Sequence, residues 1–330
     1  MKKNCKWILT LPFLLLIFSS CGSKRAENGV PQVRIAYFPN MIHAQGLLMK
    51  NQNMLEDAWG ESCEVTWTSF NAGPSEIEAI FAGEIDLGYI GPVPAINANI
   101  KSGGDVKIIS NATNAGAVFL VRSDSGIASV KDLSQKRVAV PQLGNTQHLC
   151  LLNILKENGL KPQNQGGDVI ISASSNADIV NLMDNGNVDA AVVPEPWGTT
   201  IENNGNAKIL LEYDELFLNG DYPTALVVAR ADFIEEHPDL VKEFLAMHKE
   251  ATQLILDNPE TVRTIINEEI QLATGKALDE DVIEQAFSRI KADDALNIEA
   301  VMQFARISKE EGFISEIPEE DHVFDLEFRQ

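Results

Sequence analysis

The chain has 330 residues, of which 45% are hydrophobic, and it carries a formal net charge of −22 at pH 7. This length can bury one large or two medium-sized hydrophobic cores. Because a strongly negative chain repels the phosphate backbone, the charge excludes a nucleic-acid-binding role.

The first residues predict export. Residues 1–6 are basic, and the apolar run of residues 7–18 is too short to span a bilayer. Small residues then lead to Cys21. This segment resembles the cleavage site of a bacterial lipoprotein, although Phe18 stands where leucine is more usual. The alternative is an ordinary secretory peptide with an incidental cysteine.

The lipoprotein resemblance implies a signal peptide over residues 1–20, a lipid on Cys21 and a polar tether over residues 21–31. No later run is apolar and long enough to cross a membrane. We therefore expect the mature chain to be extracytoplasmic and anchored to the cell membrane.

Two cysteines remain in the expected mature body, Cys63 and Cys150. They fall in different predicted lobes, so we expect two buried free thiols, although an oxidising compartment would allow a disulfide. Neither has a spacing typical of a metal site.

Strand-like runs alternate with helical patterns through the first two thirds of the chain. This alternation predicts an α/β fold with parallel sheets. The strand-like runs are 33–37, 63–68, 86–90, 106–109, 117–121, 137–140, 169–172, 190–193, 208–211 and 224–230. After Arg230 the pattern predicts only helices, followed by an acidic tail. They are 238–258, 259–267, 278–290 and 298–311, with the tail over 313–330.

An internal repeat recurs at an offset of 103 residues. Arg-Ile-Ala-Tyr at 34–37 matches Arg-Val-Ala-Val at 137–140, and Gly-Glu-Ile-Asp-Leu at 83–87 matches Gly-Asn-Val-Asp-Ala at 186–190. Ordinary βαβ sequences produce such matches by chance, but the repeat favours two similar α/β lobes.

The predicted first lobe comprises residues 32–112 and 224–330, including the C-terminal helices, and the second comprises residues 113–223. Ligands of such lobes bind at the carboxyl ends of parallel strands, so the facing loops would form one cleft. These loops are 38–43, 71–75, 91–94, 111–116, 144–147, 174–176 and 194–197.

Helix starts contribute to this cleft. The turn at 141–147 leads from a strand into an Asn/Thr-capped helix, and Pro74, Pro92 and Pro196 mark three further helix starts. Free N–H groups at helix N-termini suit polar or anionic ligand atoms. Since the loops contain no Lys or Arg, binding would rest on hydrogen bonds rather than salt bridges.

Five segments carry a family resemblance. They are YFPNMIHAQ at 37–45, NAGPSE at 71–76, GPVPA at 91–95, VAVPQLGNTQ at 138–147 and VPEPW at 193–197. Together they resemble the nitrate/sulfonate/taurine family of substrate-binding proteins of ABC importers, over about residues 32–315. The resemblance implies a type II periplasmic-binding-protein fold with two lobes, two hinge crossovers and a ligand cleft. It also implies a monomer without catalytic activity or cofactor, whose partners are a permease and its ATPase.

We expect a set of polar and small residues from these loops to bind the ligand. They are Phe38, Asn40, His43, Asn71, Gly73, Ser75, Gly91, Asn145, Thr146, Gln147, Glu195 and Trp197.

Several of these residues have structural alternatives. Asn145 and Thr146 map onto the loop that holds the anion in relatives, but they could serve only as helix caps. Ser75 could likewise donate to an anion or cap a helix. His43 could bind a ligand oxygen, bind a metal or make a structural hydrogen bond, and Asn40 is similar.

Glu195 could accept an amine, or it could clamp a backbone N–H or a lobe-closing partner. Trp197 is expected to pack beneath its loop rather than to stack on ligand. A carboxylate in the cleft disfavours a bare inorganic anion unless it is paired or faces away.

The leading functional hypothesis is capture of a small aliphatic sulfonate, with taurine, nitrate and bicarbonate next. The first alternative is a neutral pyrimidine precursor of thiamin, for which Phe38, Tyr89 and Trp197 would supply aromatic contacts. A metal-binding lipoprotein using His43, Glu195 and His148 is the second. The sequence supports no enzyme, since it lacks a cofactor motif and paired carboxylates in the cleft loops.

Overall fold

The computed structural model describes residues 29–328, which form two β-sheets flanked by helices. The predicted signal peptide, Cys21 and most of the predicted tether lie outside this range. The eleven strands of the described chain are β1 (Gln32–Tyr37), β2 (Glu64–Ser69), β3 (Leu87–Ile90), β4 (Val106–Ala115), β5 (Ala117–Arg122), β6 (Arg137–Val140), β7 (Ile170–Ala173), β8 (Ala190–Pro194), β9 (Ala207–Leu211), β10 (Pro223–Arg230) and β11 (Ile290–Ala292).

Helices connect most of these strands and extend beyond the last one. They are α1 (Ala44–Asn51), α2 (Met54–Trp59), α3 (Gly73–Phe81), α4 (Pro92–Ser102), α5 (Thr146–Glu157), α6 (Asn176–Asp184), α7 (Trp197–Asn203), α8 (Tyr213–Leu216), α9 (Ala231–Glu236), α10 (Pro238–Asp257), α11 (Pro259–Thr274), α12 (Glu280–Ser288), α13 (Ile298–Glu310) and α14 (Glu320–Val323). None of the helices within residues 29–328 is both long enough and apolar enough to cross a bilayer.

The first sheet has the strand order β11-β4-β10-β3-β1-β2, and the second has the order β7-β6-β8-β5-β9. The ten predicted strands are all present. The sheets are mixed rather than parallel, because β10 runs antiparallel to β3 and β4, and β5 runs antiparallel to β8 and β9. Gly116 alone joins β4 to β5, so the chain passes directly from the first sheet to the second there.

The internal repeat corresponds to a repeated strand pairing. In the first sheet β1 pairs with β3 so that Ile35 lies beside Leu87. In the second sheet β6 pairs with β8 so that Val138 lies beside Ala190. The residue numbers of both members of the second pair are 103 higher than those of the first pair, so the two repeats pair their strands in the same register.

The repeated aspartate has the same role in both units. The backbone N–H of Arg34 donates to Asp86 Oδ2 at 2.9 Å, and that of Arg137 donates to Asp189 Oδ2 at 2.9 Å. Each aspartate therefore accepts a backbone N–H near the start of the strand beside it, a role that both copies of the Gly-x-x-Asp pattern share.

Apolar packing joins the two sheets. The largest buried cluster includes Ala36 and Ile90 from the first sheet and Val138 and Val192 from the second, together with Phe304 on α13. The C-terminal helices thus form part of a core shared by both sheets. The opposite face of the first sheet packs against α1, α10 and α11.

The predicted all-helical C-terminal region contains one strand, β11. It pairs with the end of β4 and ends the preceding helix at Ser288, two residues before the predicted end. The acidic tail is also packed, since Phe324 is buried and forms a bridge to Ile108. Strand β4 continues to Ala115, so the first sheet extends past the boundary expected at residue 112.

Cys63 and Cys150 are free and buried, as predicted. Burial raises the pKa of Cys63 to about 11 and that of Cys150 to about 12. Both thiols therefore stay protonated near neutral pH, which makes them unreactive.

Candidate functional site

A cavity of about 20 Å³ lies where segments from both sheets meet. This volume holds about one water molecule, and small-molecule sites measure about 300–1,000 Å³, so a solute enters only when the two sides of the cleft move apart. Eight of the predicted ligand-binding residues line it: Phe38, Asn40, Asn71, Gly73, Gly91, Asn145, Thr146 and Gln147. Seven further residues complete the lining: Ile42, Ala72, Pro94, Pro141, Asn176, Pro194 and Thr224.

The turn before α5 contributes the N-terminal end of a helix. Asn145 is the N-cap, because its Oδ1 accepts a hydrogen bond from His148 N at 2.8 Å. Asn145 Nδ2 donates to Gln147 Oε1 at 3.0 Å, so the capping side chain is held on both sides. Asn145 therefore both caps α5 and lines the cleft.

Other helix starts contribute less than the sequence suggests. Helix α3 begins at Gly73 without a side-chain N-cap, but Pro74 lacks an N–H group. At the start of α4, Pro92 and Pro94 likewise lack N–H groups. The N-terminus of α7 is engaged, since Thr199 N donates to Glu195 Oε2 at 2.9 Å. The positive end of α5 is therefore the main helix end at the cleft.

The two sides of the cleft touch in this structure. Ser75 does not line the cleft; its Oγ donates to Gln142 Oε1 at 3.0 Å on the opposite side. Asn71 Nδ2 donates to the Pro141 carbonyl at 3.3 Å. These hydrogen bonds join segments that follow strands of different sheets, so the structure represents a closed arrangement.

Three buried side-chain atoms in the cleft wall have no hydrogen-bond partner within the described chain. They are Asn40 Oδ1, Thr146 Oγ1 and Asn176 Oδ1. A buried polar atom without a partner costs free energy, on the order of 1–3 kcal/mol. Because all three line one cavity, they are available together to a polar group bound there.

No Asp, Glu, Lys or Arg side chain is among the lining residues of the described cleft. Glu195 lies beside the cleft but points away, and its Oε1 accepts from Arg289 Nη1 at 3.0 Å. The structure therefore matches the clamp alternative for Glu195 and not the amine-acceptor alternative. Its backbone also bridges the sheets, because Met41 N donates to the Glu195 carbonyl at 3.0 Å.

Arg289 is central to this arrangement. It follows α12 and contacts four residues of the second half of the fold: Glu195, Thr199, Glu202 and Glu212. Burial disfavours its charge, but the surrounding carboxylates outweigh burial and raise the pKa of Arg289. Arg289 thus stays cationic and balances the buried Glu195.

The three residues of the metal alternative do not converge. His43 is fully buried, and its Nδ1 accepts from Phe38 N at 3.2 Å, whereas His148 Nδ1 accepts from Gly144 N at 3.0 Å. Glu195 pairs with Arg289. Within residues 29–328 no group of three or more His, Cys, Asp or Glu could hold a metal ion.

Burial also determines the charge of both histidines. It lowers the pKa of His43 to about 3 and that of His148 to about 4. Both rings are therefore neutral near pH 7. His43 does not line the cleft but stacks on Phe38, which does, with ring centroids 4.2 Å apart.

Of the three aromatic residues considered for a pyrimidine, Phe38 alone lines the cleft. Tyr89 is fully buried, and its hydroxyl lies 2.9 Å from His248 Nδ1. Trp197 packs against the outer apolar cluster of the second sheet, as expected. Stacking between two rings is therefore not available in this cleft.

Sequence reasoning missed Thr224, Arg289 and the role of Asn176. Thr224 opens β10, and its hydroxyl donates to the Ala115 carbonyl at 2.5 Å, where the chain returns to the first sheet. Asn176 belongs to loop 174–176, which was expected to face the cleft, but the sequence does not mark it as a ligand-binding residue. Only its burial in the structure does so. For Arg289 the sequence offers no signal, since its partner Glu195 is 94 residues away.

The comparison with protein families agrees with this geometry. The model of the NMT1-like family matches residues 26–268, which is most of the chain. The chain belongs to the NMT1-like family. The predicted resemblance to nitrate/sulfonate/taurine-binding proteins is confirmed by this family and by its relatives.

Two similar proteins come from Escherichia coli (strain K12). A protein named for binding aliphatic sulfonates is 29% identical over 248 residues, which cover 75% of this chain and 74% of that protein. The taurine-binding periplasmic protein is 30% identical over 197 residues, covering 59% of each chain.

Solved structures show the fold. The alkanesulfonate-binding protein SsuA from Xanthomonas axonopodis pv. citri, bound to MOPS, superposes with a TM-score of 0.71 and 23% identity, covering 89% of this chain and 98% of that one. The NMT1-like chain therefore has the predicted periplasmic-binding-protein fold, with additional helices.

Proposed function

We propose that this chain is the extracytoplasmic solute-binding protein of an ABC importer, and that its cleft holds a small aliphatic sulfonate for delivery to the permease. The observation that carries this proposal is the cleft itself. It places the N-terminus of α5 and the unpartnered Thr146 hydroxyl, both able to donate, beside a small cavity whose lining carries no charge.

This chemistry suits a weakly hydrated oxyanion. Helix N–H groups and the Thr146 hydroxyl can donate to sulfonate oxygens without the desolvation cost of a buried ion pair. The relatives named for aliphatic sulfonates and taurine support the same class.

Calorimetric titration with methanesulfonate, taurine, nitrate and the thiamin pyrimidine tests the proposal. We expect heat with the sulfonates. Replacing both Asn145 and Thr146 by alanine should weaken binding at least tenfold, because the Thr146 hydroxyl and the pre-ordered turn are lost.

Loss of an N-cap also costs about 1 kcal/mol of stability, so a matched control is required. Asn297 caps α13 by accepting from Ala300 N at 3.1 Å, and it does not line the cleft. The Asn297→Ala variant should lose similar stability and keep full affinity. Heat with the pyrimidine or nitrate and none with any sulfonate would contradict the proposed ligand class.

We also propose that the protein is anchored by lipid on Cys21. The sequence of residues 1–22 supports this, with its basic start, short apolar run and small residues before the cysteine. The Cys21→Ser variant should move from the membrane fraction to the soluble extracytoplasmic fraction. Unchanged membrane association of this variant would show that Cys21 is not the anchor.

A further inference from the structure

Asn176 carries an unsatisfied hydrogen-bond acceptor that faces the cleft. It is the first residue of α6, it is 4% exposed, and it lines the cleft. Its Oδ1 has no partner in the described chain. This observation says something about the ligand only if the free atom is the oxygen and not the amide nitrogen.

The neighbouring hydrogen bonds determine that orientation. The backbone N–H of Asn176 can only donate, and it donates to Asn71 Oδ1 at 3.2 Å. The Pro141 carbonyl can only accept, and it receives Asn71 Nδ2 at 3.3 Å. Both contacts fix the same orientation of the Asn71 amide.

The orientation of the Asn176 side-chain amide follows from that of Asn71. Its Nδ2 lies 3.4 Å from Asn71 Oδ1, which is an acceptor. Turning the Asn176 amide over would bring two oxygens together, so Nδ2 faces Asn71 and Oδ1 remains free. The free atom is therefore an acceptor that requires an N–H or O–H donor.

No N–H or O–H group of the described residues donates to Asn176 Oδ1. The first N–H groups of α6 are engaged elsewhere, since Asn176 N donates to Asn71 and Asp178 N donates to Ser175 Oγ. At the start of α5 the cleft instead offers donors, with the Thr146 hydroxyl unpartnered. The second-sheet side of the cavity thus presents both a donor, the Thr146 hydroxyl, and an acceptor, Asn176 Oδ1.

We propose that Asn176 Oδ1 receives a hydrogen bond from the ligand, and that the ligand is an amino- or hydroxyalkanesulfonate rather than a plain alkanesulfonate. This inference rests on the proposed sulfonate function. A plain alkanesulfonate has no donor, so it would leave the buried oxygen unsatisfied when the cleft closes. Sites built to bind a donor discriminate against analogues that lack it.

Titration of three ligands of nearly equal size tests the inference. Taurine carries an amine, 2-hydroxyethanesulfonate carries a hydroxyl, and 1-propanesulfonate carries a methyl group at the same position. The native protein should bind at least one of the first two about tenfold or more tightly than 1-propanesulfonate.

In the Asn176→Ala variant this preference should disappear, with affinity for 1-propanesulfonate unchanged or slightly improved. The backbone N–H that holds Asn71 is retained in the variant, and its unfolding midpoint confirms that it folds. Asn181→Ala is the matched control: Asn181 is exposed on the same helix, donates to the Ala177 carbonyl and should leave all three affinities unchanged. The Asn176→Asp variant separates the two donors, because a carboxylate should favour the amine of taurine over the hydroxyl.

Two results would overturn the inference while leaving sulfonate binding intact. One is equal affinity of the native protein for all three ligands, and the other is an unchanged preference in Asn176→Ala. If none of the three ligands binds, the proposed function and this inference both fail, and the titrations distinguish that outcome from the first two.

Discussion

Replacing Arg289 by methionine should destabilise the protein by about 3–5 kcal/mol. Glu195 is fully buried, and Arg289 is the cation that compensates its carboxylate. Methionine keeps much of the side-chain volume but removes the charge and five hydrogen bonds to Glu195, Thr199, Glu202 and Glu212. Chemical unfolding monitored by circular dichroism measures the loss.

The loss should also depend on pH. Without Arg289, burial raises the pKa of Glu195 further, so the folded variant holds a proton that the unfolded chain releases above its ordinary pKa of 4.5. A raised folded pKa gives stability that falls as pH rises, so the variant should lose more at pH 8 than at pH 5.

Two further variants make this prediction specific. Adding Glu195→Gln to Arg289→Met should recover part of the lost stability, since no buried charge then remains. Arg306→Met removes a half-exposed arginine whose partner Glu299 is exposed, and it should leave the unfolding midpoint nearly unchanged. Equal losses for Arg289→Met and Arg306→Met would refute the role given to the buried pair.

Replacing Gly91 by valine should weaken ligand binding by about 10- to 100-fold, equivalent to about 1–3 kcal/mol of overpacking. Gly91 has φ −70° and ψ 156°, so its backbone suits any residue. A Cβ there would collide with Thr146 Oγ1 and lie 3.5 Å from the Thr224 carbonyl. Because Gly91 follows β3 and Thr146 follows β6, the collision arises only when the two sides of the cleft meet.

The stability of the ligand-free protein should therefore change little, and this separates a closure effect from misfolding. Small-angle scattering with and without ligand should show compaction in the native protein and not in Gly91→Val. Adding Thr146→Ala should restore part of the compaction, since it removes the colliding hydroxyl. Native affinity in Gly91→Val would mean that ligand binding does not require the contact seen here.

The fold could be predicted largely from local sequence. Each of the ten predicted strands combines β-branched or apolar residues with a turn signal, and this local pattern is enough to locate it along the chain. β11 could not be predicted, because Ile290-Lys291-Ala292 is only three residues long and becomes a strand through the edge of β4. The repeat at 103 residues favoured two similar α/β lobes, and the structure adds that the repeated strands pair in the same register.

The candidate site was only partly predictable. The Asn145 turn, the Gly91 loop and Asn40 follow strands, so topology alone brings them to the cleft. Glu195 follows a strand as well, yet its carboxylate turns away because Arg289 neutralises it from a distant helix. Ser75 likewise contacts Gln142 across the cleft instead of lining it.

The sequence by itself determined the α/β organisation and the family, since each depends on residue type and order along the chain, and the proposed export signal rests on the sequence alone. The tertiary structure alone decided which side chains are satisfied. Asn40, Thr146 and Asn176 differ from other polar residues of the chain only in being buried without a partner beside one cavity. Hydrogen-bond satisfaction depends on groups distant in sequence, such as Asn71 for Asn176, and so it becomes visible only when the two sheets are placed together.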